Sequence, residues 1–254
     1  VNILLVNDDG YRAAGIISLA KSLSKDHKVT VVAPLKCSSG MSHAMTFNKS
    51  ITLQKIECEH YDCYATSGTP ADCVKVGLSL MAENPPDLVI SGINNQANLG
   101  TDVAYSGTAS AAMEASLEGL KAIAVSSEIE KDDDFEYISH YFIKNLPFYL
   151  KLASKKYCIS VNINPPSIGN KGHKIVSLGV RKFCDIYLIR KGDNGLYSYT
   201  LIGHPINIEN KEDTDVYWYN QGYATITPLF SDASAKARIS YLNKKIVDKK
   251  REKK

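Results

Sequence analysis

The chain reads as an α/β protein: a mostly parallel sheet flanked by helices, continued by a β-rich extension and a terminal helix. Three observations predict this. Short apolar runs alternate with amphipathic stretches through the first 156 residues, the βα order of a parallel sheet with helices on both faces. From about residue 157 the pattern changes to short segments rich in Tyr, Ile and Val, with turn signals between them. A length of 254 residues with 44% hydrophobic and 22% charged content suits one continuous globular body. Residues 1–156 are therefore expected to form the core and 157–254 an extension that completes it.

The elements follow in order. Residues 2–7 read as a buried strand, and 13–26 as a helix whose apolar face is Ile16, Ile17, Leu19, Ala20 and Leu23. Val29–Ala33 is a second strand, stopped by Pro34. The polar loop 35–49 is long for a compact domain, and loops of that length tend to be functional. Segments 50–56 and 61–65 read as a hairpin-like pair, and Gly68-Thr69-Pro70-Ala71-Asp72 opens a helix with Pro near its start. Asp87–Ser91 is another buried strand, leading into a Gly- and Asn-rich stretch, 92–108. The small-residue helix 108–118 can pack closely on the sheet, followed by the strand Ile123–Val125 and a helix over 134–153. The extension is expected to place β segments at 157–163, 174–180, 184–190, 196–202 and 223–227, then a helix over about 233–247.

Charge and cysteines narrow the function classes. The net charge of +3 resides in the tail 244–254, which alone carries +5 and leaves the rest of the chain slightly acidic. Nucleic acid is thus an unfavoured partner, and the lysine run reads as a solvated terminus. No apolar stretch approaches the roughly 18 residues of a membrane span, and the first residues enter a strand directly, with no secretory signal in view. The six cysteines (37, 58, 63, 73, 158 and 184) include no CxxC pair, and Cys58, His60 and Cys63 lack the second ligand pair of a zinc site. They read as reduced thiols, which points to the cytoplasm.

The densest chemical signal is Asn7-Asp8-Asp9-Gly10, directly after Ile3-Leu4-Leu5-Val6. Successive strand residues point to opposite faces, so Asp8 and Asp9 converge only if the chain is already turning, a turn that Gly10 permits. Two converging carboxylates suit a hard divalent cation, Mg²⁺ or Mn²⁺ before Zn²⁺. The competing reading makes Asp9 the cap of the next helix and Asp8 a turn residue. In open parallel sheets ligands bind beyond the carboxyl ends of the strands. There the sequence also sets Ser38-Ser39-Gly40 and Ser91-Gly92-Ile93-Asn94, which add hydroxyl, amide and backbone groups. Tyr105-Ser106-Gly107-Thr108 opens the small-residue helix, so it serves as an N-cap, an anion site, or both. No GxGxxG follows the first strand, and no GxxxxGK[ST] or GxSxG is present, which disfavours dinucleotide, P-loop and serine-hydrolase chemistry.

Taken together, LLVNDDGYRAAGI (4–16), VVAP (31–34), SSGMSHAMT (38–46), GTPADCVKVGL (68–78), PDLVISGINNQANLGTDVAYSGTASAAMEA (86–115), NINPP (162–166) and TDVYWYNQGYATITPL (214–229) closely resemble the SurE family of stationary-phase survival proteins. The resemblance implies a Rossmann-like sheet whose β-rich extension and C-terminal helix exchange between subunits of a homodimer or homotetramer. It implies a phosphatase of nucleoside 5′- and 3′-monophosphates, with polyphosphate as a further substrate, and one Mg²⁺ or Mn²⁺ per subunit. It further implies metal ligation by Asp8, Asp9, Ser39 and Asn94, with Asp8 and Asp9 also catalytic, and phosphate contacts from Gly40, Asn98, Ser106, Gly107 and Thr108. The alternative is a nucleotide or polyphosphate sensor that uses the same pocket without turnover. The sequence departs from the family pattern at Arg12-Ala13-Ala14-Gly15, at Gln96-Ala97, and at Lys236, four residues after Asp232.

Overall fold

The computed structural model describes residues 1–192, 194–232, 234, 238–239 and 241–243. The chain begins with β1 (Asn2–Val6), α1 (Ala14–Leu23), β2 (Lys28–Pro34), β3 (Leu53–Ile56), β4 (Asp62–Thr66) and α2 (Pro70–Leu80). It continues through β5 (Leu88–Asn94), a 3₁₀ turn (Gly100–Ala104), α3 (Gly107–Leu117), β6 (Ala122–Ser126) and α4 (Asp134–Leu152). The second part holds β7 (Cys158–Asn162), β8 (His173–Ile175), β9 (Lys182–Cys184), β10 (Tyr187–Lys191), β11 (Tyr197–Leu201), β12 (His204–Ile206), α5 (Asp215–Asn220) and β13 (Ala224–Leu229).

Among the described residues the main sheet has nine strands, in the order β3-β4-β2-β1-β5-β6-β7-β13-β8. From β4 to β7 all neighbours are parallel, whereas β3 on β4 and β13 on β7 are antiparallel. The expected α/β architecture is therefore present, and residues beyond 156 supply three of its strands. The remaining strands form two small antiparallel pairs, β10–β11 and β12–β9, outside the main sheet.

The pleat of β1 explains its central place. Ile3 and Leu5 join one apolar cluster with Ile16 and Leu19 of α1 and Phe142 and Tyr149 of α4. Leu4 and Val6 join the cluster on the opposite face, with Val74 of α2 and Ala109 and Ala112 of α3. All four aliphatic side chains are fully buried, and each contributes about 2 kcal/mol of transfer free energy. That double-sided burial fixes the register at which the strand ends and the carboxylates begin. α3 lies close on the sheet because its buried face is made of Gly107, Ala109, Ala111, Ala112 and Ala115.

Several expectations are corrected. The segment 174–180 keeps only its first residues in a strand, because Gly179 N–H goes to Asp215 and Val180 N–H to Asn210 instead of to a neighbouring strand. The segment 184–190 divides between β9 and β10, since Cys184 pairs with His204 while Tyr187 pairs with Leu201. The 3₁₀ turn and α5 were not expected. Most of the helix anticipated over 233–247, together with Lys236 and the tail 244–254, lies outside the described residues.

Candidate functional site

The parity of β1 carries into the site. Leu4 and Val6 face α2 and α3, so Asp8 emerges on that side and meets the N-terminal end of α3. Asn7 closes the turn with its own side chain. Its Nδ2 donates to Gly10 O at 2.9 Å, and its Oδ1 accepts from Gly10 N–H at 3.2 Å. Gly10 adopts φ +101°, a region that favours glycine.

Asp8 is 3% exposed and its Oδ1 accepts a 2.5 Å hydrogen bond from the Thr108 hydroxyl. Burial raises its pKa, and the Thr108 hydroxyl with the N–H groups of Thr108 and Gly107 opposes the rise. A β-carbon on Gly107 would lie 2.8 Å from Asp8 Cβ. Glycine at that position is what lets the helix end approach the carboxylate. Asp9 is pushed up to about 6 by burial and by the neighbouring Asp8 charge, against hydrogen bonds from Asn95 N–H and the Ser39 hydroxyl. The capping alternative fails, because the N-cap of α1 is Ala13 and no side chain caps that helix.

The structure brings Asp9 and Ser39 into one hydrogen-bonded group, with Asp8 adjacent. Ser39 is exposed and also lies 3.0 Å from Cys37 Sγ. Asn94, 8% exposed, ends β5 where the register shifts between Ser91 and Asn94. Its Nδ2 donates to Gln96 O at 2.7 Å, which leaves Oδ1 as the atom for a ligand. Gly40 is exposed at φ +74° with open space about its α-carbon.

The other expected phosphate contacts are more occupied. Ser106 caps α3 by accepting Ala109 N–H at 2.9 Å, and Thr108 is turned to Asp8. The positive end of α3 is thus directed first at Asp8. Asn98 is 7% exposed, with Nδ2 donating to Ser126 Oγ and its backbone held by the Asn162 side chain. Among the described residues no cluster of three or more His, Cys, Asp or Glu is suited to a metal ion. The donor set is instead two adjacent carboxylates with a hydroxyl and an amide oxygen. That all-oxygen composition fits a hard cation that retains water.

Two supports were not foreseen. Asp215, fully buried, accepts Gly100 N–H at 2.8 Å and Gly179 N–H at 2.7 Å. Arg181 pairs with Asp102 at 2.8 Å, and its guanidinium also donates to Ala97 O at 3.4 Å. The base of the extension therefore grips segment 97–102, which carries Asn98. A cavity of about 440 Å³, lined by Leu99, Glu128, Arg181, Asn207 and Tyr219 among others, borders that segment. Only Asn7 had a local signal, the Asn-Asp-Asp-Gly turn itself. Partners separated by 115 positions, as Gly100 and Asp215 are, leave none.

Fold and site together define a doubly wound α/β protein with two adjacent carboxylates beyond the carboxyl ends of its central strands, one of them, Asp8, buried against a helix N-terminus. The chain belongs to the SurE family: the family model described as survival protein SurE matches residues 3–185. A protein of Clostridium beijerinckii named 5′-nucleotidase SurE is 40% identical over 96% of this chain and 98% of its own length. One of the same name from Caldanaerobacter subterraneus subsp. tengcongensis is 41% identical over 91% of this chain and 92% of its own. The crystal structure of the SurE protein from Aquifex aeolicus aligns with a TM-score of 0.79 at 33% identity, covering 96% of this chain and all of that one.

Proposed function

We propose that this chain is a divalent-metal-dependent phosphatase that hydrolyses nucleoside 5′- and 3′-monophosphates, with polyphosphate as a further substrate. The observation that carries the reading is the pair Asp8 and Asp9. Both are pushed toward the protonated form, chiefly by burial, in a site whose other oxygen donors are neutral. A cation between them would offset that cost and favour both as anions. Relatives named 5′-nucleotidase SurE at about 40% identity over nearly the full length support the substrate class.

Asp8, Asp9, Ser39 and Asn94 would hold one Mg²⁺ or Mn²⁺. The chemistry such an ion supplies when bound is polarisation of a phosphoryl oxygen and a lowered pKa for water. The side chains do the rest. Thr108 holds Asp8 through its hydroxyl, while Asn95 N–H and the Ser39 hydroxyl favour the charged form of Asp9. Either Asp8 or Asp9 would take the proton of the attacking water. Gly40, Asn98 and the 106–108 turn flank the phosphate, with Gly40 the most open of them. The cavity beside Leu99 and Glu128 has a volume suited to a nucleoside.

The test is phosphate release from a panel of nucleoside 5′- and 3′-monophosphates and polyphosphate with Mg²⁺, Mn²⁺ or EDTA. Metal-dependent release from the monophosphates is expected. Nucleotide binding without release would favour the sensor reading instead.

A further inference from the structure

Loop 35–49 carries Ser39 and Gly40, and its attachment to the rest of the molecule follows a clear order. Ser42 is fixed to the end of the 3₁₀ turn, with its N–H on Tyr105 O at 3.1 Å and its hydroxyl on Ala104 O at 2.7 Å. Further along, Thr46 donates its hydroxyl to Asp72 at 2.7 Å, and Thr69 donates to Ala44 O at 2.7 Å. Between these anchors His43 Nε2 lies 2.8 Å from Glu114 Oε2. Glu114 sits in the middle of α3, 4% exposed, and its other oxygen is 3.0 Å from Lys75 of α2. A buried carboxylate with one lysine and one imidazole as partners is a strong acceptor in low dielectric. The pair therefore fastens the loop to the same helix whose N-terminus holds Asp8.

We infer that His43 is a positioning residue for the proposed hydrolysis: its contact with Glu114 holds Ser39 and Gly40 in register with the Asp8–Asp9 pair. The inference rests on the proposed function for its consequence in catalysis, and on geometry alone for the fastening itself. The imidazole contributes one hydrogen bond through Nε2. A glutamine, whose amide nitrogen reaches to a comparable distance, should replace that contact, whereas alanine cannot.

The experiment compares the full chain with His43→Ala and His43→Gln in two readouts: amide hydrogen exchange across residues 38–46 without metal, and kcat and KM for adenosine 5′-monophosphate with Mn²⁺. For His43→Ala, exchange should quicken and kcat should fall, each about tenfold, with KM changed by less than about threefold. His43→Gln should restore both quantities to within about threefold of wild type. Unchanged exchange in His43→Ala would overturn the inference. So would a His43→Gln variant with restored exchange but alanine-like kcat, which would make the imidazole itself a reacting group. If the wild type releases no phosphate, the proposed function fails, and the exchange comparison still decides whether His43 holds the loop.

Discussion

At the scale of single residues, the site is built by parity and by hydrogen bonds that arrive from far along the chain. Asp8 follows from the alternation of β1, and Asn7 with Gly10 supplies the turn. Those features were legible in the sequence because they are local. The choice between a cap and a ligand for Asp9 was not, since it depended on what α1 did with its own first turn. The raised pKa of Asp9 has a measurable consequence. Between about 4 and 6 the folded protein holds this proton more tightly than the unfolded chain, so its contribution to stability falls as pH rises through that window. Asp72 works in the opposite sense: burial pushes it up, but hydrogen bonds from Thr46 and Thr69 outweigh that and hold it below the usual value. Comparison of melting temperatures for wild type and Asp9→Asn isolates the first effect. In EDTA, the advantage of the variant should grow from pH 4 to 6, and Mn²⁺ should raise the wild type more than the variant. An advantage independent of pH would contradict the assignment.

At the scale of elements, the loops that complete the site are held by other elements. Segment 97–102 depends on Asp215, at the start of α5, and on Arg181 beside β9. No local pattern joins these regions, because the contacts run between residues far apart in the chain. Asp215→Ala would leave the N–H groups of Gly100, Gly179 and Val216 without their acceptor. The expected cost is about 3 kcal/mol in urea unfolding, with Asp215→Asn milder because one carbonyl acceptor remains. A loss within about 0.5 kcal/mol for the alanine variant would show that α5 does not hold this segment. The broken segment 174–180 has the same origin. Its apolar residues read as a strand, but the N–H groups of Gly179 and Val180 are taken by the side chains of Asp215 and Asn210.

For the whole molecule, the alternation of strands and helices made the doubly wound core readable, and the family comparison agrees with it. The extension was readable only as a set of β segments. Its hairpin β10–β11 packs against little of its own chain: Tyr187, Ile189, Tyr197, Tyr199 and Leu201 are each more than half exposed. An apolar surface of this kind calls for a partner, and we propose that it is a second copy of the chain, giving the homodimer or homotetramer that the resemblance implies. Sedimentation should therefore show an oligomer. Ile189→Glu, placed directly across from Tyr199, should shift it toward monomer, whereas an unchanged assembly would exclude this face.

The Asp8–Asp9 pair is the proposed seat of metal-dependent hydrolysis. The most direct measurement is phosphate release from adenosine 5′-monophosphate by Asp8→Asn with saturating Mn²⁺, alongside a melting curve and circular dichroism to verify the fold. Turnover should fall by about a thousandfold or more, while the variant melts at or above the temperature of the metal-free wild type, because a buried carboxylate has been replaced by a neutral isostere. A folded Asp8→Asn protein that retains near wild-type turnover would show that hydrolysis does not depend on this carboxylate.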